Sequence, residues 1–234
     1  KYIPEFQMKD ERYKDITVRM IFNHSSGLPG SSFFFGYAKY NQMHKLLLDT
    51  LKDASLKHAP GEMSMYCNDG FTLAEIIVEK VSGKKFMDFL AERVFKPLGM
   101  KNTGVSVGEC GLENIAEYYD VKTGKKYPPE LVEIYACGGI SSTAEDLCKF
   151  GNSFNPKSGR KILSAASLGE IRKNQPYLYY DKLRHRPMMS EFGWEYSNID
   201  ELEAKGIQAL GKGGNTMCYS ANLQIAPDHG ISIG

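Results

Sequence analysis

No run of apolar residues in this 234-residue chain reaches the roughly 18–20 that a helix needs to cross a bilayer, so no membrane span is expected. An excess of either charge is missing too: 29 Lys and Arg stand against 28 Asp and Glu, a formal net charge of +1. That balance gives no reason to expect nucleic acid or an anionic membrane surface as a partner. The five cysteines, Cys67, Cys110, Cys137, Cys148 and Cys218, contain no C-x-x-C pair and cannot all pair internally. They read as free thiols, most of them buried, and lean weakly towards a reducing environment. His24, His44, His58, His185 and His229 are scattered without metal-ligand spacing. Paired carboxylates at a useful spacing, a G-x-G-x-x-G turn and a phosphate loop are all lacking, so neither metal nor cofactor is expected. No repeat or low-complexity tract interrupts the chain.

What is present is an ordinary globular composition, 42% hydrophobic and 24% charged, in a chain long enough for a sizeable core. The first half reads as helices punctuated by Gly and Pro. "DITVRMIFNH" carries Val18, Ile21 and Phe22 at helical spacing behind a Thr17 cap, and "SSGLPGSS" stops it. "NQMHKLLLDTLKDA" puts Met43, Leu46, Leu47 and Leu51 on one face. "DGFTLAEIIVEKVSG" has a stripe of Leu73, Ile76, Ile77 and Val81 ending at Gly83. "KFMDFLAERVFKPLG" turns Phe86, Phe89, Leu90 and Val94 inward and stops at Pro97 and Gly99. "AEYYDVKTGKKYPP" reads as strand, turn, strand. Helices return at 143–152, where Ser142 and Glu145 have capping-box spacing, and near 164–174. "EFGWEYSNI" and "MCYSANLQIAPDHGISIG" read as antiparallel strands, the last pair joined at "PDHG". Helices first and strands last predict α+β, a helical lobe inserted between parts of an antiparallel sheet flanked by helices.

Three stretches carry candidate chemistry. In "SMYCNDG", Tyr66 and Asn68 stand at a loop-to-helix junction. A free phenol, with a pKa of about 10, is a poor base at neutral pH. A lysine about 4 Å away, worth roughly 4 kcal/mol at an effective dielectric near 20, would bring it into range. A base at Tyr66 therefore demands lysine nearby in space. Without one it is a packing tyrosine with a bonded hydroxyl. In "GKGGNTMCYSANLQI", Gly213 and Gly214 let a ligand lie against a strand edge. Lys212 there offers positive charge to a carboxylate, and the Asn215 N–H a donor to a developing oxyanion. The alternative is a Gly-rich turn with a solvated lysine. Residues 122–124 read Lys-Thr-Gly, a decoy for the Lys212 stretch, because they sit inside a polar hairpin turn where the glycine serves the turn. In "FNHSSGLPG", His24 beside Ser25 and Ser26 suggests a Ser–His pair, yet adjacent residues on a helix end seldom face each other. His24 reads instead as bonding across its loop. The aromatic regions 31–42 and 176–190 either line a cleft or pack a lobe.

Five segments in order resemble the serine beta-lactamase/penicillin-binding-protein-like family, on its class C beta-lactamase, D-alanyl-D-alanine carboxypeptidase and esterase side. They are "YIPEF", "ITVRMIFNHSSGLPG", the stretch from "APGEMSMYCNDG" to "KPLGMKNTG", "CGGISSTAEDLCKFG" and "GKGGNTMCYSANLQIAPDHGISI", nearly the whole chain. The resemblance implies a beta-lactamase/transpeptidase-like fold, residues 1–234 forming a single incomplete domain. It implies a serine of an S-x-x-K motif that attacks a carbonyl and forms an acyl-enzyme. The Y-x-N motif of the family maps onto Tyr66 and Asn68, and its Lys-small-Gly motif onto Lys212, Gly213 and Gly214. Asn215 would supply one oxyanion-hole N–H.

The family places S-x-x-K upstream of "YIPEF", where this chain begins, so nucleophile and partner lysine are expected outside it. Ser82–Lys85 and Ser158–Lys161 match the pattern, but one serine falls at a helix C-terminus and the other in a loop. The chain starts without Met and stops inside an alternating run, which predicts a longer domain truncated at both ends. Cys218 departs from the family's usual Gly and is expected to narrow the site or bend the strand. Lys212, where esterase-like members often have His, tilts expectation towards peptide or lactam substrates. Expected partners are a small-molecule or peptide-like substrate of D-Ala-D-Ala, beta-lactam or ester type, and a second chain if one supplies the missing segment. The other functional class is a non-catalytic binding or sensor module for cell-wall-like ligands. By family analogy the protein works outside the cytoplasm, against the weak lean of its cysteines.

Overall fold

Thr17 accepts the Met20 N–H, and the chain turns into α1 (Val18–Phe22) from this cap. The computed structural model describes residues 1–32, 42–109, 115–173, 179–181, 186–188, 192–194 and 200–234. α2 (Met43–Lys52) and α3 (Asn68–Ser82) come next in the chain, and Gly83 closes α3 in the left-handed conformation at φ 69°. Leu28, Leu51 and Leu73 are at most 1% exposed and join Ile21, Leu47 and Ile76 in the first core cluster. Val81 breaks the predicted stripe. It lies in the last turn of α3 and is exposed, because the stripe outlasts the part of the helix that neighbours cover.

The next helical run is α4 (Phe86–Leu90), a π-turn (Ala91–Phe95) and α5 (Lys96–Leu98). The π-turn inserts a residue into the helical period and rotates the residues beyond it about the helix axis. Phe95 and Leu98 consequently enter a second core with Met100, positions that a uniform 3.6-residue period does not select. α6 (Ala144–Asn152) is capped by Thr143, whose side chain accepts the Asp146 N–H; Ser142 instead pairs its hydroxyl with Thr103. The N-cap is thus one residue later than predicted, and the Asp146 carboxylate bonds Asn102, Thr103 and Lys149 where a capping box would turn it to the Thr143 N–H. α7 (Ala165–Ile171) is capped by Ser164, and α8 spans Asp200–Glu203.

β1 (Tyr179–Asp181) and β2 (Arg186–Met188) form an antiparallel pair of their own. β3 (Leu210–Asn215), β4 (Ser220–Ala226) and β5 (Ile231–Ile233) form an antiparallel sheet in the order β3-β4-β5. A left-handed Gly230 at φ 65° completes the "PDHG" turn. Among the described residues the helices precede this sheet and are not inserted into it. α6 packs on the sheet so closely that a Cβ on Gly151 would meet Ile225 Cγ2 at 2.6 Å. Leu210, Leu223, Ile225, Phe154, Leu168 and Trp194 make the core beneath. Residues 118–127 form a hairpin turn with a single bridge, Tyr119 to Lys126, where two strands were expected. Most of "EFGWEYSNI" and of the aromatic regions 31–42 and 176–190 lies outside the described residues.

Candidate active site

Cys67 has extended backbone at φ −148° and ψ 111°, and α3 starts at Asn68. This junction is tied to the loop after α1. The Asp69 N–H donates to Gly30 O at 3.1 Å, and Asp69 Oδ1 and Oδ2 accept the Ser32 N–H and hydroxyl at 2.7 and 2.9 Å. Asn68 Nδ2 donates to Ser31 Oγ at 2.9 Å. Burial raises the Asp69 carboxyl above the ordinary carboxylate range, outweighing the bonds from Ser32. Burial likewise pushes the Cys67 thiol up to about 11, which removes it as a nucleophile at neutral pH.

The β3 strand faces this junction. Lys212 Nζ lies 5.6 Å from the centroid of the Tyr66 ring and donates to Gly213 O. The ladder explains which backbone groups face out. The Thr216 N–H donates to Tyr219 O at the hairpin end, so the pairs 214–221 and 212–223 are the hydrogen-bonded ones. The pairs Asn215–Ser220 and Gly213–Asn222 alternate with them, and their β3 N–H and C=O groups point to the edge away from β4. Ser220 Oγ donates to Asn215 Oδ1 at 2.7 Å, the close side-chain approach of a non-hydrogen-bonded pair. Tyr66, Asn68, Lys212, Gly213, Gly214 and Asn215 all line one cleft of about 960 Å³. The structure therefore gathers these six residues at one place, though 146 positions separate Tyr66 from Lys212, while His24, Ser25 and Ser26 do not line the cleft. Cys218 sits in the turn beyond β3 and does not line the cleft.

Three buried carboxylates that support the cleft gave no signal in the sequence, since nothing local marks their partners. Glu130, 1% exposed, accepts the N–H groups of Met217 and Cys218 at 3.1 and 3.2 Å and so holds the β3–β4 turn. Glu75 on α3 accepts the Ala136 N–H at 2.8 Å and bonds His44 Nε2 at 2.9 Å. Burial lowers the His44 pKa, but Glu75 and Glu79 outweigh it and leave the imidazole above its ordinary value. Glu75 thereby anchors the π-turn Tyr135–Gly139, which forms the far wall. In that wall burial pushes the Cys137 thiol up to about 12. Burial and the Glu109 carboxylate also hold the Tyr135 phenol above its ordinary value. Asp146 joins α6 to residues 102–103.

The cleft serines are engaged: Ser106 with Glu130 O, Ser141 with Val105 O, Ser142 with Thr103 and Ser220 with Asn215. Ser82 and Ser158 bond locally to Lys84 and Arg160 and do not line the cleft. Among the described cysteines, Cys67 is buried while Cys137, Cys148 and Cys218 are partly exposed, fewer buried than expected; all four are free. Cys110 lies outside the described residues. Among the described residues no group of three or more His, Cys, Asp and Glu side chains is placed to hold a metal ion. No described helix is long and apolar enough to cross a membrane.

The profile of the family described as Beta-lactamase matches residues 1–234. "Penicillin-binding protein 4*" of Bacillus subtilis (strain 168) is 31% identical over 160 residues, which cover 59% of this chain and 35% of that protein. The chain thus matches about a third of that relative's length. A D-stereospecific amidohydrolase from Streptomyces sp. superposes with a TM-score of 0.76 at 20% identity, covering 99% of this chain and 71% of that one. A beta-lactamase/D-alanine carboxypeptidase from Pseudomonas syringae gives 0.75 at 17% identity, covering 99% and 68%. The α+β architecture is that of the beta-lactamase/transpeptidase-like fold.

Proposed function

The chain belongs to the beta-lactamase family, a family of serine hydrolases, and from that premise we propose that its cleft serves acyl transfer. A serine attacks a peptide, lactam or ester carbonyl, forms an acyl-enzyme, and water releases the acid. Tyr66, with Lys212 beside it, takes the serine's proton and returns it to the leaving group. Asn68 holds a substrate amide. Gly213 and Gly214 let an extended substrate lie against β3, and Lys212 attracts its carboxylate. The Asn215 N–H stabilises the oxyanion. The substrate is a D-Ala-D-Ala-type peptide, a beta-lactam or an ester.

The observation that carries this is the placement of the Lys212 ammonium 5.6 Å from the Tyr66 ring, at a strand edge whose Asn215 N–H faces outward. Among the described residues each cleft serine is hydrogen-bonded to a neighbour, which supports the part of this proposal that puts the nucleophilic Ser and its Lys in polypeptide outside these 234 residues. The test is labelling with a fluorescent penicillin or a fluorophosphonate. A polypeptide that joins these residues to the proposed nucleophile segment, called the longer polypeptide below, is expected to carry one adduct, mapped by peptide mass to a serine outside residues 1–234. Tyr66→Phe or Lys212→Ala should slow acylation by about 10²–10⁴-fold, the usual contribution of positioned proton transfer. The 234-residue chain alone should give no adduct and no turnover. An adduct on Ser82 or Ser158 would overturn the assignment. No adduct on the longer polypeptide would make the protein a ligand-binding or sensor module of the same fold.

A further inference from the structure

Asn23, His24, Ser25 and Ser26 are all at most 5% exposed, an unusual density of polar side chains in a core, and acyl transfer as proposed uses none of them. Among the described residues His24 is the one non-glycine with positive φ, at 60°. Such backbone is uncommon outside glycine and persists where the surroundings over-determine it. Those surroundings converge on the loop segment that carries Tyr66. The His24 carbonyl accepts the Met65 N–H at 2.9 Å, and its Nδ1 accepts the Cys67 N–H at 3.1 Å. One residue thus grips both chain neighbours of Tyr66. Its ring centroid lies 4.6 Å from that of Tyr66, tilted by 35°, and 5.2 Å from that of Phe71. Flanking bonds extend the seam: Ser64 Oγ to Asn23 O and the Gly61 N–H to Ser25 O, at 2.9 and 2.8 Å. The Tyr66 side chain is half exposed, so solvent supplies no restraint on its outer side.

We infer that His24 is a positioning residue for Tyr66. Its carbonyl and imidazole fix the backbone on either side, and its ring backs the phenol at the distance from which Lys212 acts. With this left-handed backbone, carbonyl and side chain both meet the segment Met65–Cys67. Acceptance at Nδ1 requires an imidazole whose hydrogen sits on Nε2. The catalytic meaning of the device rests on Tyr66 acting as proposed; its geometry does not.

Two variants tolerate the backbone at this position. His24→Gly removes ring and acceptor, whereas His24→Asn keeps an acceptor at the reach of Nδ1 and removes the ring. Ring-¹³C tyrosine NMR of the 234-residue chain, with Tyr66 assigned by Tyr66→Phe, reads the phenol directly. Wild type should show one sharp Tyr66 signal. His24→Asn should shift it, because the ring current is lost, but leave it sharp. His24→Gly should broaden or split it, while the exposed Tyr2 and Tyr119 signals and the folded amide spectrum stay unchanged. A sharp, unshifted Tyr66 signal in folded His24→Gly overturns the inference, and so does broadening in His24→Asn equal to that in His24→Gly. If His24→Gly fails to fold, His24→Asn decides by linewidth alone. In the longer polypeptide, penicillin acylation should fall on the order of 10²-fold in His24→Gly, the scale of a misplaced catalytic group, and largely recover in His24→Asn. Absence of wild-type acylation would defeat the proposed reaction and leave the NMR result standing.

Discussion

At Gly139 the carbonyl oxygen of Val132 occupies the space a side chain would need: a Cβ would lie 2.2 Å from it and 3.2 Å from Ile134 O. Both obstacles are backbone atoms, and the Gly139 N–H already donates to Ile134 O at 3.0 Å. The wall segment cannot move aside without breaking that bond. Gly139→Ala is therefore expected to cost at least the roughly 1–3 kcal/mol typical of overpacking, read as a lower midpoint in urea. Gly159→Ala, where nothing lies within 4 Å of the added carbon, should leave the midpoint nearly unchanged. Equal midpoints for the two variants would show that the wall relaxes freely. The same contrast between near and far explains what was legible at this scale. Tyr66, Asn68 and Lys212 stood out because each sits in a short stretch whose neighbours suggest its use. Glu75 and Glu130 did not, because what makes them matter is an N–H 61 to 88 residues away.

Elements are pinned by such carboxylates, and two groups in these contacts, the Asp146 carboxyl and the His44 imidazole, make stability depend on pH in opposite senses. Asp146, wholly buried at the start of α6, accepts from the Asn102 N–H at 2.7 Å and from Thr103 Oγ1 at 3.0 Å, and pairs with Lys149 at 2.8 Å. Burial works to raise its pKa, but Lys149 and the hydrogen bonds prevail and lower it. A folded value below the unfolded one means the stabilisation is complete above about pH 4 and is lost as pH falls through the folded value. Asp146→Asn should cost about 1.5–3 kcal/mol at neutral pH, the range for hydrogen bonds to a charged group. It should also flatten the fall of the melting temperature below about pH 4. An unchanged acid limb would assign acid sensitivity to other groups. His44, raised between Glu75 and Glu79, has the reverse sign. Its stabilisation of the α2–α3 contact is complete below about pH 6.5 and lost as pH rises through the folded value. His44→Gln should therefore reduce stability more at pH 5 than at pH 9, measured by urea denaturation. Caps with short-range causes, Thr17 and Gly83, were readable in sequence. The π-turn at 91–95 was not, because one inserted residue redirects Phe95 and Leu98 without altering composition. Thr143 and Ser142 are equally good caps locally, and Thr103, 39 residues from Ser142, takes the latter's hydroxyl.

For the molecule as a whole, the sheet has an edge that faces the cleft and an exposed one. Among the described residues β3 and β5 are its edges. β3 borders the cleft, and its outward backbone groups suit an extended ligand. β5 has β4 on one side, and its Ser232 faces α6, where Ser232 Oγ donates to Asn152 Oδ1. Ile231 and Ile233 alternate to the other face and are 52% and 64% exposed. Among the described residues no strand pairs with its other edge, and a short edge strand with two exposed isoleucines and no charged side chain is a template for another chain. A net charge of only +1 adds little repulsion between copies. The 234-residue chain is accordingly expected to self-associate as its concentration rises. Ile231→Lys with Ile233→Lys should shift sedimentation velocity towards monomer, since neither side chain belongs to the buried core. The low net charge leaves salt a small effect beside this substitution. A wild-type chain that stays monomeric with a single cooperative melt up to the highest concentrations would show that the β5 edge is protected in solution.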